Sequence, residues 1–323
     1  MGQKKTISCI LGADADLFHI ANTVTGLCEL EANGLIKLRL RRSSEIGEHA
    51  IVLDLGTRTA GIDLWDHSDR ILPELQGCDF YFKRCVREEN LNSEDRIRLF
   101  GLNYACRSWK ATVSLLSLFG PTDVVRRRAA WKKFLLVPLV GEFERRPTEP
   151  ASPTILFQAR LWEPYDCPGD EQVNEERIGL LLALRAEFKD RVVGGLVPSI
   201  LAQKHYRDLL TTLPPRQGKY VRRAREHLIS IGFRGLFGSL GFKLAESLAA
   251  SQCLIYESAA SYLPPDVPLA RYRNAHECIS ACDRYLSRPE DAKQLRSLAW
   301  EYYQSAVEPG AHMETLLHSI ADA

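Results

Sequence analysis

Apolar positions along the first hundred residues switch repeatedly between two spacings. Residues 6–11 form a β-rich run that closes at Gly12. From Asp16 the pattern changes to Leu17, Ile20, Val24, Leu27 and Leu30, the spacing of a helix buried along one face, and Gly34 supplies its stop. Residues 36–40, 51–55 and 78–82 read as further short strands, the last after a turn-rich interval at 66–73. Strand, crossover and strand repeated in this way predict a parallel sheet covered by helices. Residues 107–133 are helical in pattern, broken at Gly120-Pro121.

Composition changes at 144–153, where Pro147, Pro150 and Pro153 cluster, and a linker is expected near 140–152. A second α/β unit follows. Residues 154–157 and 191–193 read as strands around a helix at 173–188, and Gly194-Gly195 closes the second of them. Helices are expected at 206–210, 220–229, 241–250 and 292–306, with a late strand at 253–256.

A chain of 323 residues suits two domains. With 45% apolar and 26% charged residues it can bury a substantial core. The 42 basic and 41 acidic residues nearly cancel, which excludes a uniformly basic nucleic-acid coater but admits local basic surfaces. Nine cysteines without a C-x-x-C pair read as reduced thiols and a cytoplasmic protein, with Cys278 and Cys282 one helical turn apart on a core face. Apolar runs such as 134–140 and 178–184 are too short to span a bilayer. Peripheral membrane contact stays open, and the basic cluster 126–133 admits a headgroup or polyanionic acceptor.

The richest local signal is the segment GFRGLFGSLG at 232–241, followed by an amphipathic helix. Its glycines permit close backbone approach, and the free amides opening the helix suit a phosphate, with Arg234 and Lys243 adding positive charge. Gly238 and Ser239 belong to the same turn, and Lys243 and Glu246 share one helix face, so Glu246 can serve ribose hydroxyls. A solvated amphipathic helix behind a Gly-rich turn accounts for the segment equally well. Arg160 follows the strand at 154–157, where a parallel sheet usually presents its ligand crevice. For proton transfer the candidates are Asp14, Asp16 and His19, just after the first strand, with Asp63 and Asp66 behind them; capping and packing are their ordinary roles. His19 ranks first because imidazole titrates near neutrality. No G-x-S-x-G, H-E-x-x-H or G-x-G-x-x-G signature occurs, and no residue pattern calls for a metal.

Taken together, several segments resemble the bacterial GT-B glycosyltransferases of the group-1-like type. They are CDFYFKR at 78–84, GLNY at 101–104, FQARLWEP at 157–164, GLFGSLGFKLAESLAA at 235–250 and Tyr302-Tyr303. The resemblance implies an α/β fold of GT-B architecture, with two Rossmann-like lobes facing an interdomain cleft. It divides the chain into an acceptor-side lobe at 1–143, a nucleotide-sugar-binding lobe at 144–296 and a helical segment at 297–323 that crosses back to the first lobe. It implies sugar transfer in carbohydrate biosynthesis, from a nucleotide-diphospho-sugar co-substrate to a carbohydrate or small-molecule acceptor, without metal, separate cofactor or nucleic-acid partner. Arg160 and Lys243 then match donor-phosphate residues, and Glu246 matches the carboxylate of the ribose-binding helix. Related retaining enzymes carry an E-x7-E pattern ending at this glutamate, whereas position 238 here is Gly. A catalytically inactive nucleotide- or polyanion-binding module of the same fold is the alternative. A nicotinamide-dependent oxidoreductase meets the objection of the missing fingerprint.

Overall fold

The computed structural model describes residues 5–93, 97–163, 165, 172–214, 217–258 and 261–322. The chain forms two compact units, one comprising Met1–Gly141 with Gln304–Ala323, the other Glu142–Tyr303. Each has its own sheet and its own apolar core, so the two-lobed α/β architecture expected from the sequence is the one observed.

In the first unit the strands are β1 (Lys5–Gly12), β2 (Ile36–Ser43), β3 (Ala50–Asp54), β4 (Thr59–Asp63), β5 (Phe80–Lys83) and β6 (Ile97–Leu99). Its helices are α1 (Leu17–Ala32), α2 (Glu88–Ser93), α3 (Trp109–Arg126) and α4 (Arg128–Leu135). The sheet order is β2-β1-β3-β4-β5-β6. It is mixed rather than parallel: β3 runs antiparallel to both β1 and β4, while the other pairs are parallel. The 54–61 stretch is the β3–β4 hairpin, turning through Gly56 at φ +88°, a left-handed conformation that glycine adopts without strain. α1 starts where the spacing predicts and buries Leu17, Ile20, Val24 and Leu27 against the sheet. α3 bends at Gly120, whose φ of +75° interrupts the helix before Pro121.

A short helix, α5 (Val140–Phe143), carries the chain into the second unit, which begins at Glu142. There the strands are β7 (Ser152–Arg160), β8 (Val192–Val197), β9 (His227–Gly232), β10 (Cys253–Glu257) and β11 (Ala270–Tyr272). The helices are α6 (Gln172–Phe188), α7 (Ile200–His205), α8 (Gln217–Ala224), α9 (Phe242–Ala249), α10 (Ala275–Ser287) and α11 (Pro289–Tyr302). The order β11-β10-β9-β7-β8 is parallel throughout. The helix expected over 220–229 is instead the end of α8 and the start of β9, whose residues Ser230, Ile231 and Gly232 are buried between neighbouring strands. Residues 206–210 contain only a single 3-10 turn, Arg207–Leu209. Cys278 and Cys282 are buried on α10.

The last helix, α12 (Pro309–Ala321), packs on α1 in the first unit. The approach is close: a Cβ on Gly26 would lie 2.0 Å from the Pro309 carbonyl oxygen. Arg58 and Arg98 donate to the carbonyls of Ile320 and Ser319, supplying the cations that the end of a helix favours.

Candidate functional site

The first unit gathers its polar chemistry where β1 ends. Asp16 caps α1, accepting the Phe18 amide at 2.8 Å through one carboxylate oxygen. Its other oxygen lies 2.9 Å from His19 Nδ1, one turn further on. Burial opposes the Asp16 charge, but the hydrogen bond and charge of His19, the Lys133 ammonium at 3.8 Å and the Phe18 amide outweigh it, so Asp16 stays well below the usual carboxylate range. An aspartate holding Nδ1–H leaves Nε2 as the imidazole's proton acceptor.

A third residue, His49, comes from the turn immediately before β3. Because β3 is antiparallel to β1, its first residues lie at the end where β1 leaves the sheet, with Leu11 paired to Ile51. The loop before it passes directly over Gly12, where a Cβ would sit 2.6 Å from the carbonyl oxygens of Ile46 and Gly47. The Glu48 carbonyl accepts the Asp16 amide at 2.8 Å. The His49 and His19 rings meet edge to face at 4.9 Å, and one ligand atom from each of Asp16, His19 and His49 lies within 4.8 Å of the other two. This donor set has the composition of a transition-metal site. Desolvation, followed by the neighbouring His19, pushes the His49 pKa down. His49 Nδ1 is buried without a hydrogen-bond partner.

Asp14 stands apart from that group, exposed and paired with Arg126 at 2.8 Å. Asp63 is buried, accepting from Tyr81 Oη and Lys83 Nζ, each at 2.6 Å, and from the Trp65 amide at 2.9 Å. Asp66 pairs with Arg84. Asp63 is thereby committed to holding β4 and β5 together.

In the second unit, chain connections leave the sheet in opposite directions from β7 and β9, which are adjacent. Such a switch point opens a crevice at the carboxyl ends of parallel strands. Arg177 of α6 fills its floor, donating to the carbonyl of Arg160 at the end of β7 (2.6 Å) and to that of Arg234 just past β9 (2.7 Å). Beside it lies a pocket of about 320 Å³, bordered by Glu176, Arg177, Phe233, Glu257, Tyr272 and Arg273 among others. Arg234 pairs with Glu176 at 2.8 Å and with Glu257 at 3.3 Å, and Arg273 with Glu277 at 2.9 Å, so three guanidinium groups and three carboxylates meet at this edge. Desolvation raises the Glu257 pKa despite the Arg234 contacts. Arg160 is exposed, its guanidinium 5.0 Å from the Trp162 ring. Asn274, which caps α10, also borders the pocket.

The glycine-rich turn closes on itself. The Gly235 amide donates to the Ser239 carbonyl at 2.7 Å, and Gly238 takes φ +69°. Ser239 is buried. α9 begins at a Gly241 cap with no side-chain hydrogen bond. Lys243 and Glu246 line a different cavity, about 20 Å³, with Phe143, Leu156, Tyr220 and Ala224. That volume holds a water molecule, not a phosphate. Lys243 Nζ has no hydrogen-bond partner there and lies 5.8 Å from the Tyr220 ring centre. Burial pushes Lys243 down to about 8 and Glu246 up to about 7, each partly offset by the other's charge.

The structure thus brings Asp16 and His19 together, adds His49, and leaves Asp14 aside. It places Arg160 and Arg234 at one sheet edge and Lys243 with Glu246 in a separate cavity. Arg177, Glu257, Tyr272 and Arg273 were not singled out from the sequence. Their only advance signal was the position of each near a strand end or on a helix facing one.

No family model matches the chain, and no curated protein matches it. Among solved structures it is similar to sucrose-phosphate synthase from Thermosynechococcus elongatus, at 11% identity over 75% of this chain and 68% of that one, with a TM-score of 0.37. Two structures of the wall teichoic acid polymerase TagF are similar at 12% identity over 78% of this chain and 71% of theirs, with TM-scores of 0.34 and 0.33. Likeness at this level carries neither an activity nor a residue role. Among the described residues, no helix is long and apolar enough to cross a membrane.

Proposed function

We propose that the protein is a glycosyltransferase of GT-B type that uses a nucleotide-diphospho-sugar donor. The observation that carries this reading is the open switch point of the second unit, with its Arg177 fork and nucleoside-sized pocket. In this proposal Arg160 and Arg273 receive the diphosphate, and Glu257 takes ribose or sugar hydroxyls. Fixed positive charge beside the departing diphosphate stabilises the charge that develops as the glycosidic bond breaks. Arg234, Gly238 and Ser239 shape the turn that borders the crevice, and Lys243 with Glu246 belongs to the helix that follows that turn. The Asp16–His19 pair of the first unit is assigned to the acceptor: His19 Nε2 takes the proton of the attacking hydroxyl while Asp16 fixes the ring. Asp14 is the weaker candidate because Arg126 occupies it.

A second reading, a nucleotide-binding module without transfer activity, is favoured by Gly238, which stands where retaining relatives of the resembled family have a carboxylate. A panel of nucleotide-sugars incubated with mixed saccharide and lipid-like acceptors separates the two. Acceptor-dependent release of nucleoside diphosphate supports transfer. Nucleotide binding without release under any acceptor supports the inactive module.

A further inference from the structure

The α3–α4 hairpin carries a surface that neither sheet edge uses. Between positions 107 and 136 there are seven basic residues and one acidic residue, Asp123. Asp123 is buried and pairs with Arg126 at 2.9 Å and Arg127 at 3.9 Å, while Asp14, Asp16 and Glu31 pair with Arg126, Lys133 and Lys110, so the outward positive charge rests chiefly on Arg128 and Lys132. The same stretch holds six of the eleven exposed large hydrophobic side chains among the described residues: Trp109, Val113, Leu116, Val125, Leu135 and Leu136. Trp109 is 66% and Val113 64% exposed, and with Leu116 they follow one helical stripe on the outer face of α3. Ala111, Leu115 and Phe119 face the core instead, so the helix is apolar on both sides and buries only one.

Arg107 ties the two ends of this surface together. Its guanidinium lies 5.0 Å from the Trp109 ring and donates to the Leu135 carbonyl at 3.3 Å and the Val137 carbonyl at 2.8 Å. Trp109, Leu135 and Leu136 therefore form one apolar end, bordered by basic side chains. Arg128 and Lys132 are exposed and make no ion pair among the described residues.

We infer that this hairpin docks on an anionic lipid surface. Trp109, Val113, Leu135 and Leu136 enter the boundary between headgroups and acyl chains, and Arg128 and Lys132 meet lipid phosphates. Apolar insertion flanked by cations is the pattern that binds a membrane interface without spanning it. A second copy of the chain is a poor occupant, because the face would meet its own positive charge. A purely polyanionic partner leaves the exposed Trp and Leu side chains without a use.

The test is co-sedimentation of the full chain with vesicles of phosphatidylcholine alone and of phosphatidylcholine with phosphatidylglycerol. Binding should be at least about tenfold stronger on the anionic vesicles and should weaken as salt is raised. Trp109→Ser with Leu136→Ser should lower it about tenfold, and so should Arg128→Glu with Lys132→Glu, each pair leaving the thermal unfolding midpoint in place. If the serine pair unfolds the protein, the glutamate pair still decides, since both of its sites are exposed. Equal binding to both vesicle types overturns the inference, as does parental binding by the glutamate pair. Retention on heparin without vesicle binding overturns it as well.

Discussion

The two units use the carboxyl edges of their sheets differently, and one strand accounts for the difference. In the second unit β7 and β9 are neighbours and parallel, so their exits diverge and leave a crevice. In the first unit an antiparallel strand, β3, stands between β1 and β4. It fills the place where an exit gap would open and brings the turn before it to that edge, which is how His49 reaches Asp16 and His19. One edge became a cavity bordered by paired charges, and the other a compact group of imidazoles and a carboxylate. A single strand reversal thus closes the gap at one edge and brings two imidazoles and a carboxylate together there.

The sharpest way to break the first edge is Gly12→Ala. The added Cβ meets two backbone carbonyl oxygens, which cannot rotate away as a side chain can. Destabilisation of about 2–3 kcal/mol is expected in denaturant unfolding, from displacement of the 46–49 loop. A cost below about 0.5 kcal/mol would mean that the loop does not need its close approach to β1.

A finer cut is Asp16→Asn. Asparagine caps helices about as well as aspartate, so α1 should survive. With the carboxylate gone, the His19 ring loses its anionic partner, and turnover should fall about 100-fold while nucleotide affinity stays at the parental value. Unchanged turnover in the folded variant would move the base elsewhere in the first unit.

The smallest effect belongs to the half-buried Lys243–Glu246 pair on α9. The Glu246 pKa is raised from its ordinary value near 4.5 to about 7, so the folded state binds the extra proton and stability falls as pH rises through that interval. Lys243 is lowered from near 10.5 to about 8, so the folded state binds fewer protons there and stability recovers as pH rises from about 8. Replacing the pair with Lys243→Met and Glu246→Gln should flatten this dip. Parallel melting curves from pH 5 to 10 for parent and double variant would read it, and superimposable pH profiles would contradict the burial of the two charges.

Much of this was legible in local pattern. Leu17, Ile20, Val24 and Leu27 after Asp16 announced α1 and its cap, and Gly120-Pro121 announced the bend in α3. The β3–β4 hairpin was hidden because its turn, Leu55-Gly56-Thr57-Arg58, lacks an Asn-Gly or Asp-Gly pair. β9 was masked because Tyr220 and Val221 continue into Leu228 and Ile229 at a spacing that a single helix also satisfies. His49 and Tyr272 have no motif of their own, and Glu257 has only its place just after the strand expected at 253–256. Their placement follows from which strands pair and in which direction, and sequence spacing does not encode that.

The most direct test of the account is calorimetric titration of the full chain with nucleoside diphosphates, repeated on Glu257→Gln, Arg273→Ala and Lys243→Met. Arg273 and Glu257 border the open pocket, while Lys243 lies in the separate small cavity. The account predicts that the parent binds at least one nucleoside diphosphate, that Glu257→Gln and Arg273→Ala each weaken it about tenfold or more, and that folded Lys243→Met keeps parental affinity. Absence of binding by the parent, or binding lost in Lys243→Met but kept in the other two, would contradict it.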